Sequence, residues 1–311
     1  MNNKPKVTIV GSFMMDLVVK AKRRPNKGET LIGEEFGMFI GGKGCNQAIA
    51  AARLGAHTHM VGRLGADLFG DRFMEALAEE NIVSDYVVRD PEVGTGVGTP
   101  VIDADGDNSI IIIPRANMRL SVEDVEKAEP AIAGADVLIL QLEVPVETSE
   151  RAAEIAKSGG ATVILNPAPA RDLPDSFLSK VDILTPNEPE TEMLSGIPVR
   201  DQAGAERAAK VLLDKGVSAV ILTLGARGAL LLTPEMTKLV PAYKVDVVDT
   251  TAAGDAFCGA LATALARGES LESATEYANA AGAFAVTIMG AGPSMPTARQ
   301  LEAFLDRNGG R

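Results

Sequence analysis

The residues best suited to chemistry stand together at Asp249 to Asp255, reading Asp-Thr-Thr-Ala-Ala-Gly-Asp and running straight into the apolar Ala256-Phe257-Cys258-Gly259-Ala260-Leu261. A small-residue turn that opens a helix leaves backbone N–H groups unpaired and aimed at one point, which makes a seat for an anion such as phosphate. Asp255 is the odd member. A carboxylate beside an anion seat is repelled by the anion unless it has a proton to remove from an incoming hydroxyl. The chemistry this pairing predicts is phosphoryl transfer to an alcohol.

Three further clusters fall at the ends of apolar runs. Gly41-Gly42-Lys43-Gly44-Cys45-Asn46-Gln47 opens a helix predicted over Ala48 to Leu54. With Gly37 its spacing mimics the GxxxxGK of a P-loop, but position 44 is Gly where Mg²⁺ coordination needs Ser or Thr, which argues against a Walker-type ATPase. Its glycines either let a ligand approach the backbone, with Lys43 and Asn46 as polar handles, or serve tight helix packing. Thr185-Pro186-Asn187-Glu188-Pro189-Glu190 places Asn187 and Glu190 three apart at a helix start. They read either as oxygen ligands of a hydrated Mg²⁺ or as an N-cap and its capping box. Thr223 to Gly228 follows a strand; its glycines either leave room for a nucleotide or turn a hairpin, and the residues alone favour the hairpin.

The elements that must position these clusters alternate. Val7 to Val10, Asp136 to Leu140, Ala161 to Leu165, Asp182 to Thr185 and Ala219 to Thr223 read as buried strands. Gln47 to Leu54, Asp71 to Glu80, Thr148 to Lys157 and Gln202 to Lys215 have helical spacing. This rhythm predicts a mostly parallel sheet covered on both faces by helices, with ligands at the carboxyl ends of the strands. Glu29 to Ile40 and Val93 to Ile113, the latter with a turn at Asp103 to Asn108, break it. They suggest a small antiparallel sheet, either a lid over the main domain or an edge extension of the main sheet. Ala298 to Arg311 reads as a final helix and tail. The 311 residues are expected to form a single domain, 1–311, with lid segments at about 29–40 and 93–113.

Thirty basic against 42 acidic residues give a formal charge of −12, which repels nucleic acid and anionic membrane, so neither is an expected partner. A polyanionic substrate must then be met by local groups. No apolar stretch reaches the length of a membrane span, and Met1-Asn2-Asn3-Lys4 leads directly into Val7-Thr8-Ile9-Val10 without a signal-peptide pattern, so a cytoplasmic protein is expected. Cys45 and Cys258 lack metal or disulfide spacing and read as buried small hydrophobes. His57 and His59 fall in one short segment ahead of a strand, which argues against a histidine-based triad.

Taken together, GSxxxD at Gly11 to Asp16, GGKGxNQA at Gly41 to Ala48, QLE at Gln141 to Glu143, NPAPA at Asn166 to Ala170, TPNExE at Thr185 to Glu190, TLGxxG at Thr223 to Gly228 and DTxAAGDxFxGAL at Asp249 to Leu261 resemble the ribokinase branch of the PfkB carbohydrate kinase family. The resemblance spans nearly the whole chain. It implies an α/β ribokinase-like fold of three layers with a β-sheet lid through which a homodimer forms. It also implies ATP and Mg²⁺ as reactants and a K⁺-type monovalent cation as activator. Carried over by motif, Asp255 is the base for a sugar hydroxyl, and the amides of Ala252, Ala253, Gly254 and Asp255 form an anion hole. Asp16, Gly42, Lys43, Asn46 and Glu143 hold the sugar. Asn187, Thr223, Leu224, Gly225, Ala226, Arg227, Gly228 and Asn279 border the nucleotide, with Gly254 beside its phosphates. Asn187 and Glu190 orient hydrated Mg²⁺. Asp249, Thr251, Ala285, Ile288, Gly290 and Ser294 surround the monovalent cation, several through backbone carbonyls. The implied reaction is ATP-dependent phosphorylation of the 5-hydroxyl of D-ribose, with 2-deoxyribose and then a nucleoside as alternative acceptors.

The chain departs from the family pattern twice. Met14 stands where many ribokinases have Asn, whose amide can bond a sugar hydroxyl; an apolar wall imposes no penalty on a sugar lacking it, which makes 2-deoxyribose a candidate beside ribose, unless Met14 only packs the core. Arg115 stands where the family usually has Gly before Ala116-Asn117, and reads as a solvated lid residue. With three Tyr, nine Phe and no Trp, a nucleobase finds little to stack on, unless Phe13 or Phe39 lines the pocket. A sugar-binding regulator on the same fold is the competing class, but a pure binder has no use for a base beside a phosphate seat.

Overall fold

The computed structural model describes residues 4–104 and 108–309. The centre of the turn expected at Asp103 to Asn108, and Gly310 and Arg311 of the expected tail, lie outside the described residues.

Val, Ile and Leu runs too short for helices form the strands of a nine-stranded sheet. They are β1 (Lys6–Val10), β4 (His57–Gly65), β5 (Val83–Asp90), β8 (Val137–Leu140), β9 (Thr162–Leu165), β10 (Ile183–Leu184), β11 (Ala219–Thr223), β12 (Ala229–Leu232) and β13 (Thr237–Val240). Their spatial order is β13-β12-β11-β10-β9-β8-β1-β4-β5, all parallel except the β11-β12-β13 meander at one edge. The chain leaves β1 toward β4 on one side, while β8 lies against β1 on the other. The order therefore reverses between β1 and β8, and a crevice opens beyond their carboxyl ends.

Strand pleating sends alternate residues to opposite layers. Val7, Ile9, Val137 and Ile139 pack into one core with the helices Lys43–Arg53, Ala253–Ala266 and Leu271–Ala285. Val10, Leu138, Leu140, Val163 and Leu165 pack into the second core with the helices Val146–Gly159 and Gln202–Asp214. This gives the three layers expected.

The remaining strands, β2 (Met14–Lys20), β3 (Glu35–Gly41), β6 (Val97–Ile102) and β7 (Asn108–Ile113), form a separate sheet ordered β3-β2-β6-β7. It shares no strand with the main sheet, which rules out an edge extension. Its second strand, β2, was concealed in the sequence inside a motif that suggested ligand binding, and the strand expected over Glu29 to Ile40 begins only at Glu35. The β2–β6 pair is parallel, so this sheet is not purely antiparallel. His57 and His59 lie within β4 rather than ahead of a strand; alternate burial along His57 to Met60 marks a half-covered strand end that composition did not reveal.

Candidate active site

The helix Ala253–Ala266 begins with its N-cap Ala252 in the left-handed region, φ 59° and ψ 12°, a conformation that costs a non-glycine residue on the order of 1 kcal/mol. The turn frees some amides and engages others. The N–H of Ala253 donates to the Thr250 carbonyl at 3.4 Å and that of Asp255 to the Ala252 carbonyl at 3.0 Å, whereas those of Ala252 and Gly254 have no acceptor among the described residues. The anion hole expected from four amides thus has two ready donors, because the tight turn uses the other two internally.

Asp255 faces a cavity of about 200 Å³ lined also by Lys43, Asn187, Glu190, Thr223, Ala252 and Gly254. Its carboxylate is 5% exposed. Asn46 Nδ2 donates to Oδ2 and Gln47 Nε2 to Oδ1, both at 2.9 Å. Burial pushes the Asp255 carboxyl upward; the nearby Lys43 ammonium and these two donors oppose that without cancelling it. Burial by itself lowers Lys43, but the fields of Asp255, Glu143 and Glu190 outweigh it, and the ammonium is held more firmly charged.

The glycine turn before Lys43 packs tightly against the exit of β1. A Cβ on Gly42, whose φ is 90°, would lie 2.6 Å from the Met14 nitrogen, and one on Gly44 would lie 2.4 Å from the Ser12 nitrogen. Close packing therefore requires glycine at both positions, and Lys43 is the residue of this turn that lines the cavity. Glu143, just past β8, closes the crevice: its Oε2 accepts from Ser12 Oγ at 2.5 Å and from the Lys43 N–H at 3.0 Å.

Met14 and Asp16 occupy one face of β2. Met14 is 2% exposed and counts among the buried hydrophobic residues, so packing is part of its role. Burial, with Glu143 and Asp255 nearby, pushes the Asp16 carboxyl up to about 6. Phe13 is fully buried against Phe73, and Phe39 lies beside Gly37 on the small sheet, so neither lines this cavity.

On the opposite flank, Asn187 caps the helix Glu188–Ser195 and a complete capping box joins it to Glu190. Both still line the cavity, and desolvation raises the Glu190 carboxyl. Thr223 to Gly228 turns the β11–β12 hairpin, as the residues alone favoured. Gly228 is required because a Cβ would fall 1.9 Å from the Val240 carbonyl oxygen. Within the turn Thr223 reaches the cavity, Leu224 is core, Gly225 and Ala226 shape the bend, and Arg227 pairs with Glu188. Asn279 does not line the cavity; its Nδ2 donates to the Pro241 carbonyl at 2.8 Å, holding the connection that leads to Asp249.

Asp249 ties two loops together. Its Oδ1 accepts from the Thr251 N–H at 2.9 Å and its Oδ2 from the Gly290 N–H at 2.8 Å. Burial alone raises this carboxyl, and the two loops' donors overcome that to lower it. Ser294 Oγ donates to the Ala291 carbonyl at 2.7 Å, and the Ala285 carbonyl accepts from the Ile288 N–H at 3.1 Å. Among the described residues no group of three or more His, Cys, Asp or Glu is placed to hold a metal ion.

Four polar residues of this region went unassigned in the sequence: Gln47, Gln141, Asn166 and Ser12. All lie within motifs that flagged the region, but nothing in their types distinguishes a buried amide that holds a carboxylate from one that contacts a ligand. Arg115 also differs from expectation. Its guanidinium lies against Gly94 and donates to the Thr95 carbonyl at 3.3 Å, instead of being simply solvated.

Comparison with known proteins agrees with this geometry. Residues 4–298 match the model of the pfkB family carbohydrate kinases. The ribokinase of Haemophilus influenzae is 40% identical over 300 residues, 96% of this chain and 98% of that protein. The deoxyribokinase of Salmonella typhi is 39% identical over 303 residues, 97% of this chain and 99% of that protein. The structure of Arabidopsis thaliana ribokinase complexed with ribose and ATP superposes with a TM-score of 0.90 at 34% identity, covering 97% of this chain and 99% of that one.

Proposed function

The chain belongs to the pfkB family of carbohydrate kinases, a phosphotransferase acting on a sugar hydroxyl, and from that premise we propose that it transfers the γ-phosphoryl group of ATP to the 5-hydroxyl of D-ribose. The observation that carries this reading is Asp255, a buried carboxylate of raised proton affinity, on the same cavity wall as the unpaired Gly254 N–H and opposite Lys43.

In this reaction Asp255 takes the proton of the sugar hydroxyl as its oxygen attacks the γ-phosphorus. The bond from that phosphorus to the β-bridging oxygen breaks, and ADP leaves. A positioned base contributes about 10²- to 10⁴-fold. The Ala252 and Gly254 amides and the Lys43 ammonium, whose residues line the cavity with Asp255, are the donors proposed to meet the migrating phosphoryl group's charge, and such fixed donors contribute about 3–4 kcal/mol each. Asp16, Asn46 and Glu143 hold the sugar; Asn46 Oδ1, buried and without a partner, is free to accept from a hydroxyl. Asn187, Thr223 and the hairpin turn after it border the nucleotide.

Glu190 and Asn187 fit a hydrated Mg²⁺: one carboxylate and one amide in the cavity wall are too few for an all-protein cage and suit an ion carried by phosphates and waters. When bound, Mg²⁺ neutralises phosphate charge. The loops joined by Asp249 carry the oxygens proposed for K⁺, and an ion there would stiffen the strained Ala252 turn. Higher turnover in K⁺ than in Na⁺ supports that site, and equal rates count against it. A homodimer is supported by the exposed apolar side chains of the small sheet, among them Phe36, Met38, Ile111 and Ile113. A cytoplasmic location is the companion proposal; among the described residues no helix is long and apolar enough to cross a membrane.

The function is tested by ADP release from ATP, Mg²⁺ and ribose with Asp255→Asn. Turnover is expected to fall by orders of magnitude while ribose binding survives. Wild-type-like turnover would remove Asp255 as the base. The second acceptor is 2-deoxyribose, supported by the 39% identity to the deoxyribokinase of Salmonella typhi and by an apolar Met14 two residues from Asp16 on β2.

A further inference from the structure

Asp255 is held by two consecutive residues of the helix Lys43–Arg53, and they differ in kind. Asn46 is 5% exposed and keeps Oδ1 free. Gln47 is fully buried, and both ends of its amide are engaged by protein groups, which leaves it nothing to offer a substrate.

The Gln47 amide also has only one tolerable orientation. Its Oε1 accepts from Gln141 Nε2 at 2.7 Å, while its Nε2 donates to Asp255 Oδ1 at 2.9 Å and to Asn166 Oδ1 at 3.3 Å. Asn166 is fixed in turn by donating its Nδ2 to the Thr185 carbonyl at 3.1 Å. Flipping Gln47 would set its oxygen against two acceptors and its amino group against another amino group, which leaves buried polar groups unsatisfied. Gln141 occupies room that Gly11 leaves open: a Cβ there would lie 2.0 Å from Gln141 Oε1. A chain of contacts thus runs from the end of β1 through two glutamines to the reacting carboxylate.

We infer that Gln47 is a positioning residue for phosphoryl transfer, fixing the direction in which the Asp255 carboxylate faces and keeping it ionised and ready to accept a proton at neutral pH. The inference rests on the reading of Asp255 as the base. An N–H donor favours the ionised carboxylate. The other charged or titratable groups facing Asp255 are Lys43 and Cys45 on the same helix as Gln47, Asp16 on β2, Glu143 after β8, Glu190 on the helix Glu188–Ser195 and Cys258 on Asp255's own helix. Lys43 alone among them favours ionisation, so loss of a neutral donor is not made up elsewhere.

The test is the dependence of kcat and kcat/KM on pH between 5 and 9.5 for Gln47→Met, which keeps volume and removes the donor, and for Gln141→Leu, which frees the Gln47 amide to turn. For Gln47→Met the expected result is an acidic limb about one pH unit higher, with a loss in kcat of about twofold at pH 7 that grows toward tenfold as pH falls below the limb, activity recovering toward wild type as pH rises, and ribose affinity within threefold. Gln141→Leu is expected to move the limb in the same direction by less. An unmoved limb, or a loss uniform across pH, overturns the inference, and if Gln47→Met does not fold, Gln141→Leu is read by the same criterion. Wild-type-like turnover in Asp255→Asn would instead overturn the assignment of the base. An inactive Asp255→Asn together with an unmoved limb in Gln47→Met overturns only the role of Gln47.

Discussion

Gly41 and Asp16 meet across β2 and β3 so closely that a Cβ on Gly41 would lie 2.4 Å from Asp16 Oδ2. From β6, a Cβ on Gly98 would lie 2.3 Å from Oδ1 of the same carboxylate. Two glycines on the strands flanking β2 therefore form the seat in which Asp16 lies. Gly41→Ala should push the carboxylate aside and lower kcat/KM for ribose by about 10- to 100-fold, since misplacing a positioning group by an ångström costs that much. KM for ATP should stay within about twofold. Steady-state kinetics with each substrate varied decides it; equal losses for both substrates would mean the small sheet is generally disturbed.

The same carboxylate predicts a pH dependence. Its folded value of about 6 lies above the ordinary 3.8, so the folded state holds the proton more tightly than the unfolded chain. Stability from this group is present below 3.8 and is lost as pH rises through 6. Asp16→Asn should therefore stabilise the apo-protein at pH 7, by on the order of 1–3 kcal/mol. A sugar hydroxyl needs the ionised acceptor, so KM for ribose should rise as pH falls below 6 in the wild type, and that rise should vanish in Asp16→Asn. A KM flat from pH 5 to 8 in the wild type contradicts this.

Met14 is buried on the same side of β2 as Asp16. Met14→Asn adds an amide able to bond a hydroxyl, and should raise the ratio of kcat/KM for ribose over 2-deoxyribose by roughly tenfold, the worth of one hydrogen bond. An unchanged ratio places the discrimination elsewhere.

Arg115 holds φ 46°, a left-handed conformation that suits glycine better than arginine. Arg115→Gly should be more stable to urea than Arg115→Ala by about 1 kcal/mol, reversing the usual advantage of alanine, because both lose the Thr95 contact and only glycine loses the strain. The usual order would show that the loop relaxes when the guanidinium is gone.

The local chemistry was legible in the chain. Small residues before Asp255 announce a helix mouth with unpaired amides, and apolar runs alternating with helical spacing announce a layered parallel sheet, since both follow from backbone geometry within a few residues. The hairpin at Thr223 to Gly228 was readable for the same reason. Tertiary structure decided what depends on distant partners. β2 was recognisable only once β3 and β6 lay beside it, because a strand is stabilised by neighbours far along the chain. Only the fold showed that two of the four amides at Ala252 to Asp255 are consumed by the turn, and that Gly42 and Gly44 make way for Ser12 and Met14. The division between Asn46, whose Oδ1 stays unpartnered, and Gln47, engaged at both ends of its amide, was likewise invisible in two adjacent amides. Side chains about 100° apart on one helix meet different surroundings, and only packing decides which of them keeps a polar atom unpartnered.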